Sequence, residues 1–212
     1  MKKIVIAAVI AAAVIVVAAA AAYVILSDGE DSDIETSSDV QIPEGASTAV
    51  VYFTWSNHAG TIAASIGNIT GDSPIGLVPE TAYPDTYDDT VQRAESEIGQ
   101  RPAIEASSLS SALDAMHSAD YIFLGYPIWY QNCPKVILTL IDEYNALYGD
   151  MSGRTIIPFC TSASSSPDAI YEPIRSESGA TVANGFWCTS SHAGGGIDDD
   201  VASWLSGMGI SA

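Results

Sequence analysis

Basic residues are scarce in this 212-residue chain, which has 7 Lys and Arg against 26 Asp and Glu and a formal net charge of −19. Two of the seven, Lys2 and Lys3, precede a long apolar run, so the rest of the chain carries five basic residues and a net charge of −21. Such a field argues against nucleic acid or an anionic membrane surface as a partner. It favours a salt-adapted surface or an acidic face that docks cationic proteins.

Cysteines are few, and the common nucleotide-binding motifs are missing. Three Cys without a Cys-x-x-Cys spacing suggest neither a disulfide framework nor a metal site. No G-x-G-x-x-G and no G-x-x-x-x-G-K-[ST] occurs, which disfavours dinucleotide and nucleoside triphosphate binding. His58, His117 and His192 are far apart and give no Ser-His-Asp order or metal-ligand spacing. We therefore assign no catalytic side chain and no metal ligand from the sequence.

One long apolar run stands at the N-terminus. It extends from Ile4 to Leu26, 23 residues without a charge, which is long enough to span a bilayer as a helix. A signal peptide usually has an apolar region of only about 7–15 residues. We therefore predict a transmembrane signal anchor over residues 1–26, with cleavage in the small-residue tract 18–22 as the alternative. The two lysines before the run place the N-terminus in the cytoplasm and the following domain outside the membrane, or secreted if the run is cleaved.

The next segment, residues 27–47, is rich in Asp, Glu, Ser and Gly and has no aromatic residue. Because such a segment cannot bury enough surface to fold, we predict an acidic, disordered linker. Residues 48–212 remain, and they are long enough for one domain with a full core.

Strand-like and helix-like patterns alternate about five times in that domain. The strand candidates are short apolar runs at 49–53, 75–78, 121–124, 154–160 and 180–188. Helical segments are predicted at residues 61–69, 109–116, 134–147, 168–176 and 198–208, and residues 87–98 could form a charged, exposed helix. This alternation predicts an α/β fold in which helices cover both faces of a parallel sheet. In such sheets a ligand binds beyond the carboxyl ends of the strands, where the strand order reverses.

Three loops follow strands at that edge. The first loop (54–60) is rich in hydroxyls and leads into a helix, so it is either an anion site without a cation or an ordinary helix cap. The second loop (126–132) follows an apolar run that breaks at Gly125 and Pro127, and it carries the adjacent aromatics Trp129 and Tyr130. These rings suit a flat ring ligand, or simply core or lid packing. The third loop (161–166) is rich in Ser and Thr and could bind a polar ring edge or form a turn.

Three stretches together resemble the flavodoxin family: Val51-Tyr-Phe-Thr-Trp-Ser56, Phe123-Leu-Gly-Tyr-Pro-Ile-Trp129 and Ile157-Pro-Phe-Cys-Thr161. They are similar to the flavodoxin-like branch with YFSWSGNT, FLGYPIWW and PFCTSGG-type loops, and residues 83–94 also resemble that branch. The resemblance covers about residues 49–207. It implies a doubly wound, five-stranded parallel sheet in the order 2-1-3-4-5, with helices on both faces, and one non-covalently bound FMN.

The resemblance also implies a site for that cofactor. The first loop would cradle the FMN phosphate with Thr54, Trp55, Ser56, Asn57, His58 and Ala59. The second loop would flank the isoalloxazine with Pro127, Ile128, Trp129 and Tyr130, of which Trp129 is the expected stacking ring. The third loop would line the other side of the flavin with Thr161, Ser162, Ala163 and Ser164.

The first loop departs from the family pattern, because Asn57-His58-Ala59 stands where Gly-Asn-Thr is usual. Asn tolerates a positive φ better than most residues, and His58 could hydrogen-bond the phosphate, but the Thr hydroxyl is lost at Ala59. One lost hydrogen bond to a charged group costs about 1.5–3 kcal/mol, which would weaken FMN binding roughly ten- to a hundredfold.

The expected function is that of an FMN-binding electron-transfer protein tethered outside the membrane, with redox proteins or a quinone as partners. One alternative is an FMN-dependent NAD(P)H or quinone oxidoreductase. Another is a non-redox binding module that has lost FMN.

Overall fold

The protein is built around one sheet, seen in a computed structural model that describes residues 34–36, 39–163 and 171–211. Its strands in chain order are β1 (Ile34–Thr36), β2 (Thr48–Tyr52), β3 (Ile75–Gly76), β4 (Tyr121–Pro127), β5 (Thr155–Ser162), β6 (Thr181–Val182) and β7 (Phe186–Thr189). The helices are α1 (His58–Thr70), α2 (Tyr87–Ser96), α3 (Ala106–Ser118), α4 (Lys135–Tyr148), α5 (Glu172–Ser178), α6 (Ser190–Ala193) and α7 (Asp198–Gly207).

The strand order confirms the predicted topology. The sheet runs β1-β7-β5-β4-β2-β3, and its parallel strands β3, β2, β4, β5 and β7 reproduce the predicted order 2-1-3-4-5. Two short strands are added, β1 antiparallel to β7 and β6 parallel to β5. The order reverses between β2 and β4, because the chain leaves β2 for β3 on one side and returns to β4 on the other. This is the position at which a ligand is expected in a doubly wound sheet.

Helices cover both faces of the sheet, and each face has its own apolar cluster. Helices α3 and α4 pack on one face, and α1 and α7 pack on the other. The strand β4 serves both, since Ile122 and Leu124 lie in the first cluster and Phe123 lies in the second. A strand that is buried on both faces needs apolar side chains at every position. This explains the unbroken apolar run that predicted it.

The predicted break at Gly125 is wrong, because β4 continues through this residue to Pro127. Gly125 lies opposite Phe159 on β5 and opposite Tyr52 on β2. A Cβ at this position would overlap the ring of Phe159, which is fully buried. Glycine is therefore present to admit a neighbouring ring rather than to end the strand.

The last predicted strand, over residues 180–188, is two strands in the structure. Thr181–Val182 pairs with the start of β5 and Phe186–Thr189 with its end. The interruption lies beside Pro158, which has no N–H to donate to a ladder. Gly185 approaches the Pro158 carbonyl so closely that a Cβ would overlap its oxygen. The fifth predicted helix (168–176) corresponds to α5, Glu172–Ser178, with Tyr171 as its N-cap; residues 168–170 lie outside the described residues.

Part of the predicted disordered linker is folded. The N-terminal strap, by which we mean residues 34–36 and 39–46, includes β1 and then contacts the end of α7. Asp39 accepts hydrogen bonds from the backbone N and the Nδ2 of Asn184, at 3.0 and 3.2 Å. The N–H of Ile42 donates to the Met208 carbonyl at 2.9 Å, and the Ile42 side chain is buried. The polar average of residues 27–47 conceals four apolar residues, Ile34, Val40, Ile42 and Ala46, that belong to the apolar cluster of α1 and α7 or pack against it.

The remainder of that linker (residues 27–33 and 37–38) and the predicted anchor over residues 1–26 lie outside the described residues. Within the described part, no helix has both the length and the apolar character required to cross a membrane.

Replacing Ile42 by alanine is expected to lower the free energy of unfolding by about 2–4 kcal/mol, because it empties a buried apolar position. Denaturant unfolding of the purified chain, followed by tryptophan fluorescence, measures the change. Leu147→Ala is the matched control, because Leu147 is 62% exposed and its loss should change stability by about 0.5 kcal/mol or less. Equal stabilities of the two variants would show that the strap does not contribute to the folded domain.

Candidate cofactor-binding site

A cavity of about 410 Å³ opens at the carboxyl edge of the sheet, where the three predicted loops meet. Its size falls within the usual range of small-molecule sites, about 300–1,000 Å³. Ten of its lining residues belong to the predicted site: Trp55, Ser56, His58, Pro127, Ile128, Trp129, Tyr130, Thr161, Ser162 and Ala163. Because the carboxyl ends of adjacent parallel strands share one edge, these separated segments come together.

The first loop ends in a helix start that is open to an anion. Asn57 is the N-cap of α1, and it adopts a left-handed conformation with φ 67° and makes no side-chain capping bond. This bears out the expectation that Asn at this position accommodates a positive φ. The first turn of α1 contains no acidic residue, so its N–H groups and the helix dipole favour a bound anion.

His58 adds a polar side chain at this helix start. Its Nδ1 lies 2.8 Å from the Ser56 hydroxyl oxygen, and both side chains line the cavity. No Asp, Glu, Lys or Arg is among the residues described as lining the cavity. An anion at the α1 terminus would therefore be bound by amides, a hydroxyl and an imidazole.

Three residues of the predicted first-loop site do not contribute side chains to the cavity wall. Thr54 and Asn57 do not line the cavity, and Asn57 acts through its backbone conformation. Ala59 is buried in the cluster between α1 and α7, so its side chain points into the core. Of the groups of Ala59, only its backbone N–H is available to a ligand at the helix start.

The second loop places its two aromatic rings differently. Trp129 and Asn132 exchange backbone hydrogen bonds at 2.9 Å, and Tyr130 and Gln131 between them have φ values of 50° and 56°. Two left-handed central residues define a type I′ turn. The ring of Trp129 packs inward, whereas Tyr130 is 51% exposed and its hydroxyl donates to the Val91 carbonyl at 3.1 Å.

Trp129 belongs to an aromatic cluster as well as to the cavity wall. Its ring meets Phe53 at 5.6 Å and Tyr83 at 5.0 Å, both edge to face. The two alternatives for this side chain, core packing and ligand platform, are therefore combined in one residue. A ring that is fixed on two sides can stack on a ligand with little further loss of conformational entropy.

The predicted third loop begins two residues too early, because Thr161 and Ser162 are the last residues of β5. These two residues tie this edge of the sheet to its neighbours. The N–H of Ile128 donates to the Thr161 carbonyl at 2.8 Å, which joins the second loop to the third. The indole N–H of the buried Trp187 donates to the Ser162 hydroxyl at 3.1 Å. Ser164, the last predicted member of this loop's site, lies outside the described residues.

Sequence reasoning missed one wall of the cavity. It is the face of α2 that carries Tyr87, Thr90, Val91 and Ala94. These positions follow the spacing i, i+3, i+4, i+7, which marks one side of a helix. The prediction treated α2 as a charged, exposed helix, but this uncharged face within an acidic segment was a usable signal. Ser190, from the short helix α6, was also missed and had no such signal.

Cys133, next to the second loop, is a packed thiol. Burial raises the pKa of the Cys133 thiol to about 12, and Lys135 opposes this only in part. Burial also raises the pKa of Cys188 to about 12 and that of Cys160 further. All three cysteines are buried and free. Since the thiolate is the reactive form, none of them is suited to nucleophilic chemistry at neutral pH.

Alkylation should therefore leave the native protein unmodified at neutral pH, whereas all three thiols should react after denaturation. Mass spectrometry after timed exposure to iodoacetamide measures both states. Rapid modification of Cys133 in the native protein would contradict its assignment as a packed residue.

The sequence matches the profile of the family described as Flavodoxin over residues 47–206. This chain belongs to the flavodoxin family. Curated protein sequences provide no match, but solved structures of the same fold do. A candidate flavoprotein from Bacteroides eggerthii is 21% identical, with a TM-score of 0.63 over 79% of this chain and 100% of that one.

Two further structures extend the comparison. A candidate flavoprotein from Bacteroides uniformis is 25% identical, with a TM-score of 0.61 over 77% of this chain and 99% of that one. A flavoprotein from Lactobacillus acidophilus, solved in complex with FMN, is 20% identical, with a TM-score of 0.55 over 76% of this chain and 99% of that one. The N-terminal strap lies before the residues that the family profile matches.

FMN is the cofactor implied by membership of the flavodoxin family, and the residues present fit it. Trp55 and Trp129 offer aromatic walls to a ring system, the open start of α1 offers amides to a phosphate, and Thr161 and Ser162 lie at the third loop. The described residues contain no group of His, Cys, Asp or Glu arranged to hold a metal ion.

Proposed function

We propose that this flavodoxin-family protein binds one FMN in the cavity and transfers electrons to and from other proteins. The observation that carries the proposal is the position of the cavity at the strand-order reversal, between an uncapped helix start and fixed aromatic rings. When bound, FMN supplies the redox chemistry, and the protein supplies orientation and electrostatics.

Each part of the cavity has a distinct task in this proposal. The first turn of α1, with Ser56 and His58, holds the phosphate without an ion pair. Trp129 orients the ring system, and Trp55 forms a second aromatic wall. His58 and Ser56 offset part of the hydrogen bonding lost with the usual Thr at Ala59, so we expect binding weaker than in flavodoxins with the Gly-Asn-Thr loop.

The negative charge around the cavity should lower the reduction potential of the bound cofactor. The helix α2 along the cavity begins with Asp88 and Asp89 in its first turn, and the domain is strongly acidic overall. Negative surroundings disfavour added negative charge on a group. We therefore expect a reduction potential for bound FMN below that of free FMN.

A census of the cations favours the carrier over an NAD(P)H oxidoreductase. Arg93 and Arg101 pair with carboxylates, at 2.9 Å and at 2.6 and 2.7 Å respectively. Arg154 donates to the carbonyls of Met116 and His117, and Arg175 lies 4.0 Å from Glu172.

Lys135 has no ionic partner among the described residues, but it lies beside a separate groove and does not line the cavity. A nicotinamide nucleotide would bring a pyrophosphate in addition to the FMN phosphate that the start of α1 receives, and no Lys or Arg among the described lining residues is placed to receive this second anionic group.

The purified chain is expected to take up FMN stoichiometrically, with the visible absorption bands of a flavin and quenched flavin fluorescence. It should then exchange electrons with one-electron redox proteins and not turn over NAD(P)H with quinones. Fast steady-state NAD(P)H oxidation would instead support the oxidoreductase alternative. Failure to take up FMN would refute both redox functions and leave a binding module that has lost its cofactor.

We also propose that the domain is held outside a membrane by residues 1–26. The support is the uncharged run of 23 residues from Ile4 to Leu26 after two lysines, which follows the positive-inside pattern. The protein should fractionate with membranes and be digested by protease added to the extracytoplasmic side. Recovery of a shortened, soluble chain would indicate cleavage instead.

A further inference from the structure

Both tryptophans of the cavity wall contact one short segment, residues 82–84, which precedes α2. The indole N–H of Trp55 donates to the Pro84 carbonyl at 2.8 Å. The ring of Trp129 meets the ring of Tyr83 at 5.0 Å, with an interplanar angle of 72°. The positions of two rings on different loops therefore depend on two adjacent residues of this segment, Tyr83 and Pro84.

The segment is in turn attached to α2 and the residue after it. The guanidinium of Arg93 donates to the Ala82 carbonyl, and the Tyr83 hydroxyl donates to Glu97 Oε2 at 2.5 Å. The Thr90 hydroxyl donates to the Pro84 carbonyl at 2.7 Å. Each residue of the segment thus has its own bond to this helical region.

Glu97 and Arg93 form the centre of this attachment. The carboxylate of Glu97 is buried, and its other oxygen accepts from Arg93 Nε at 2.9 Å. The Arg93 guanidinium also lies 3.9 Å from the centre of the Tyr83 ring, over its face. Burial, followed by the hydrogen bond to Glu97, raises the pKa of Tyr83 well above its usual value, so its hydroxyl remains a donor.

The cluster is more than a surface ion pair. Removing one partner of a buried, hydrogen-bonded pair leaves the other charge uncompensated, which is far more disruptive than the loss of an exposed pair. The side chains of Arg93 and Glu97 are only 19% and 9% exposed. A change at Glu97 should therefore release Tyr83 and alter the packing of Trp129.

We infer that Glu97 and Arg93 are positioning residues, which act through residues 82–84 to fix Trp55 and Trp129 as the two aromatic walls of the cavity. The inference rests on the proposed function only in taking FMN as the ligand of that cavity. The arrangement of the rings themselves is a property of the ligand-free protein, and it can be measured without FMN.

Glu97→Gln and Tyr83→Phe test the inference in the full-length chain. The first removes the buried charge, and the second removes only one hydroxyl. Both should reduce the near-UV circular dichroism of the tryptophans in the ligand-free protein while far-UV circular dichroism stays unchanged. Both should also weaken FMN and riboflavin by the same factor, about tenfold, because the ring contacts are affected and the phosphate contacts are not. Glu172→Gln, in the exposed ion pair with Arg175, is the matched control and should change neither property.

A double-mutant cycle separates positioning from a general structural role. If Tyr83 acts through Trp129, then Tyr83→Phe should have no additional effect on FMN affinity in a Trp129→Leu background. Full additivity would overturn the inference, as would unchanged tryptophan circular dichroism in both single variants. If Glu97→Gln does not fold, the milder Tyr83→Phe and its cycle decide the question. Failure of the unaltered protein to bind FMN would refute the proposed function, but the ligand-free spectra would still test the positioning.

Discussion

Replacing Gly125 by alanine is expected to lower the free energy of unfolding by about 3 kcal/mol, the upper end of the usual cost of overpacking. The added methyl would overlap the Phe159 ring on the neighbouring strand. That ring has no exposed surface and lies in the apolar cluster of α1 and α7, so moving it aside would disturb the close packing around it. A valine at this position adds two further methyl groups near the same ring and should lower the free energy of unfolding more than alanine does.

The consequence should extend to the site. β4 leads directly into the second loop, so a shift at Gly125 displaces Trp129 and Tyr130. We therefore expect Gly125→Ala to lose FMN affinity together with stability, as measured by denaturant unfolding and by titration with FMN.

Gly195→Ala is the control for this substitution. Gly195 has no positive φ, and a Cβ there would meet no atom within 4 Å, so the change in stability should be about 0.5 kcal/mol or less. Equal stabilities of the Gly125→Ala and Gly195→Ala variants would contradict the close contact between the Phe159 ring and Gly125 of β4.

Replacing Ser56 by aspartate (Ser56→Asp) is expected to weaken FMN binding by more than about a hundredfold while leaving riboflavin binding nearly unchanged. Ser56 lines the cavity beside His58 at the start of α1, and no Lys or Arg is among the lining residues described there. Like charges brought together in a binding site cost several kcal/mol. Riboflavin has no phosphate and should not be affected by the new charge.

The size of the new side chain is controlled by Ser56→Asn, which is nearly isosteric with aspartate and uncharged. It should weaken FMN by about ten- to a hundredfold at most, the loss of one hydrogen bond to a charged group. Titration calorimetry or fluorescence with both ligands measures all three proteins. Equal losses for FMN and riboflavin in Ser56→Asp would place the phosphate elsewhere than at α1.

These two substitutions differ in how far the sequence alone leads to them. Ser56 was a predicted site residue, because a hydroxyl-rich loop between a strand and a helix is a local pattern with a local meaning. Gly125 was predicted as a strand end, because glycine and the nearby Pro127 are local turn signals. Only the partner across the sheet, Phe159, shows why glycine occurs there.

The wall formed by α2 illustrates the same limit. Tyr87 and Val91 belong to a helix whose charged residues dominate its composition, so the sequence predicted an exposed helix. Their contribution depends on where α2 lies relative to the second loop, about forty positions later in the chain, as the bond from Tyr130 to the Val91 carbonyl shows. Such a relation between distant segments has no signature in either segment alone.

The sequence by itself determined the alternation of strands and helices, the parallel sheet, the family and the three loops of the site. These follow from apolar periodicity, from turn residues and from short motifs, all of which act within a few residues. Tertiary structure decided the pairing of Ile34 with Cys188 in the N-terminal strap, the place of Gly125 within β4, and the attachment of both tryptophans to residues 82–84. The physical reason is that each of these depends on side chains far apart in sequence, whose contact exists only after the sheet has assembled.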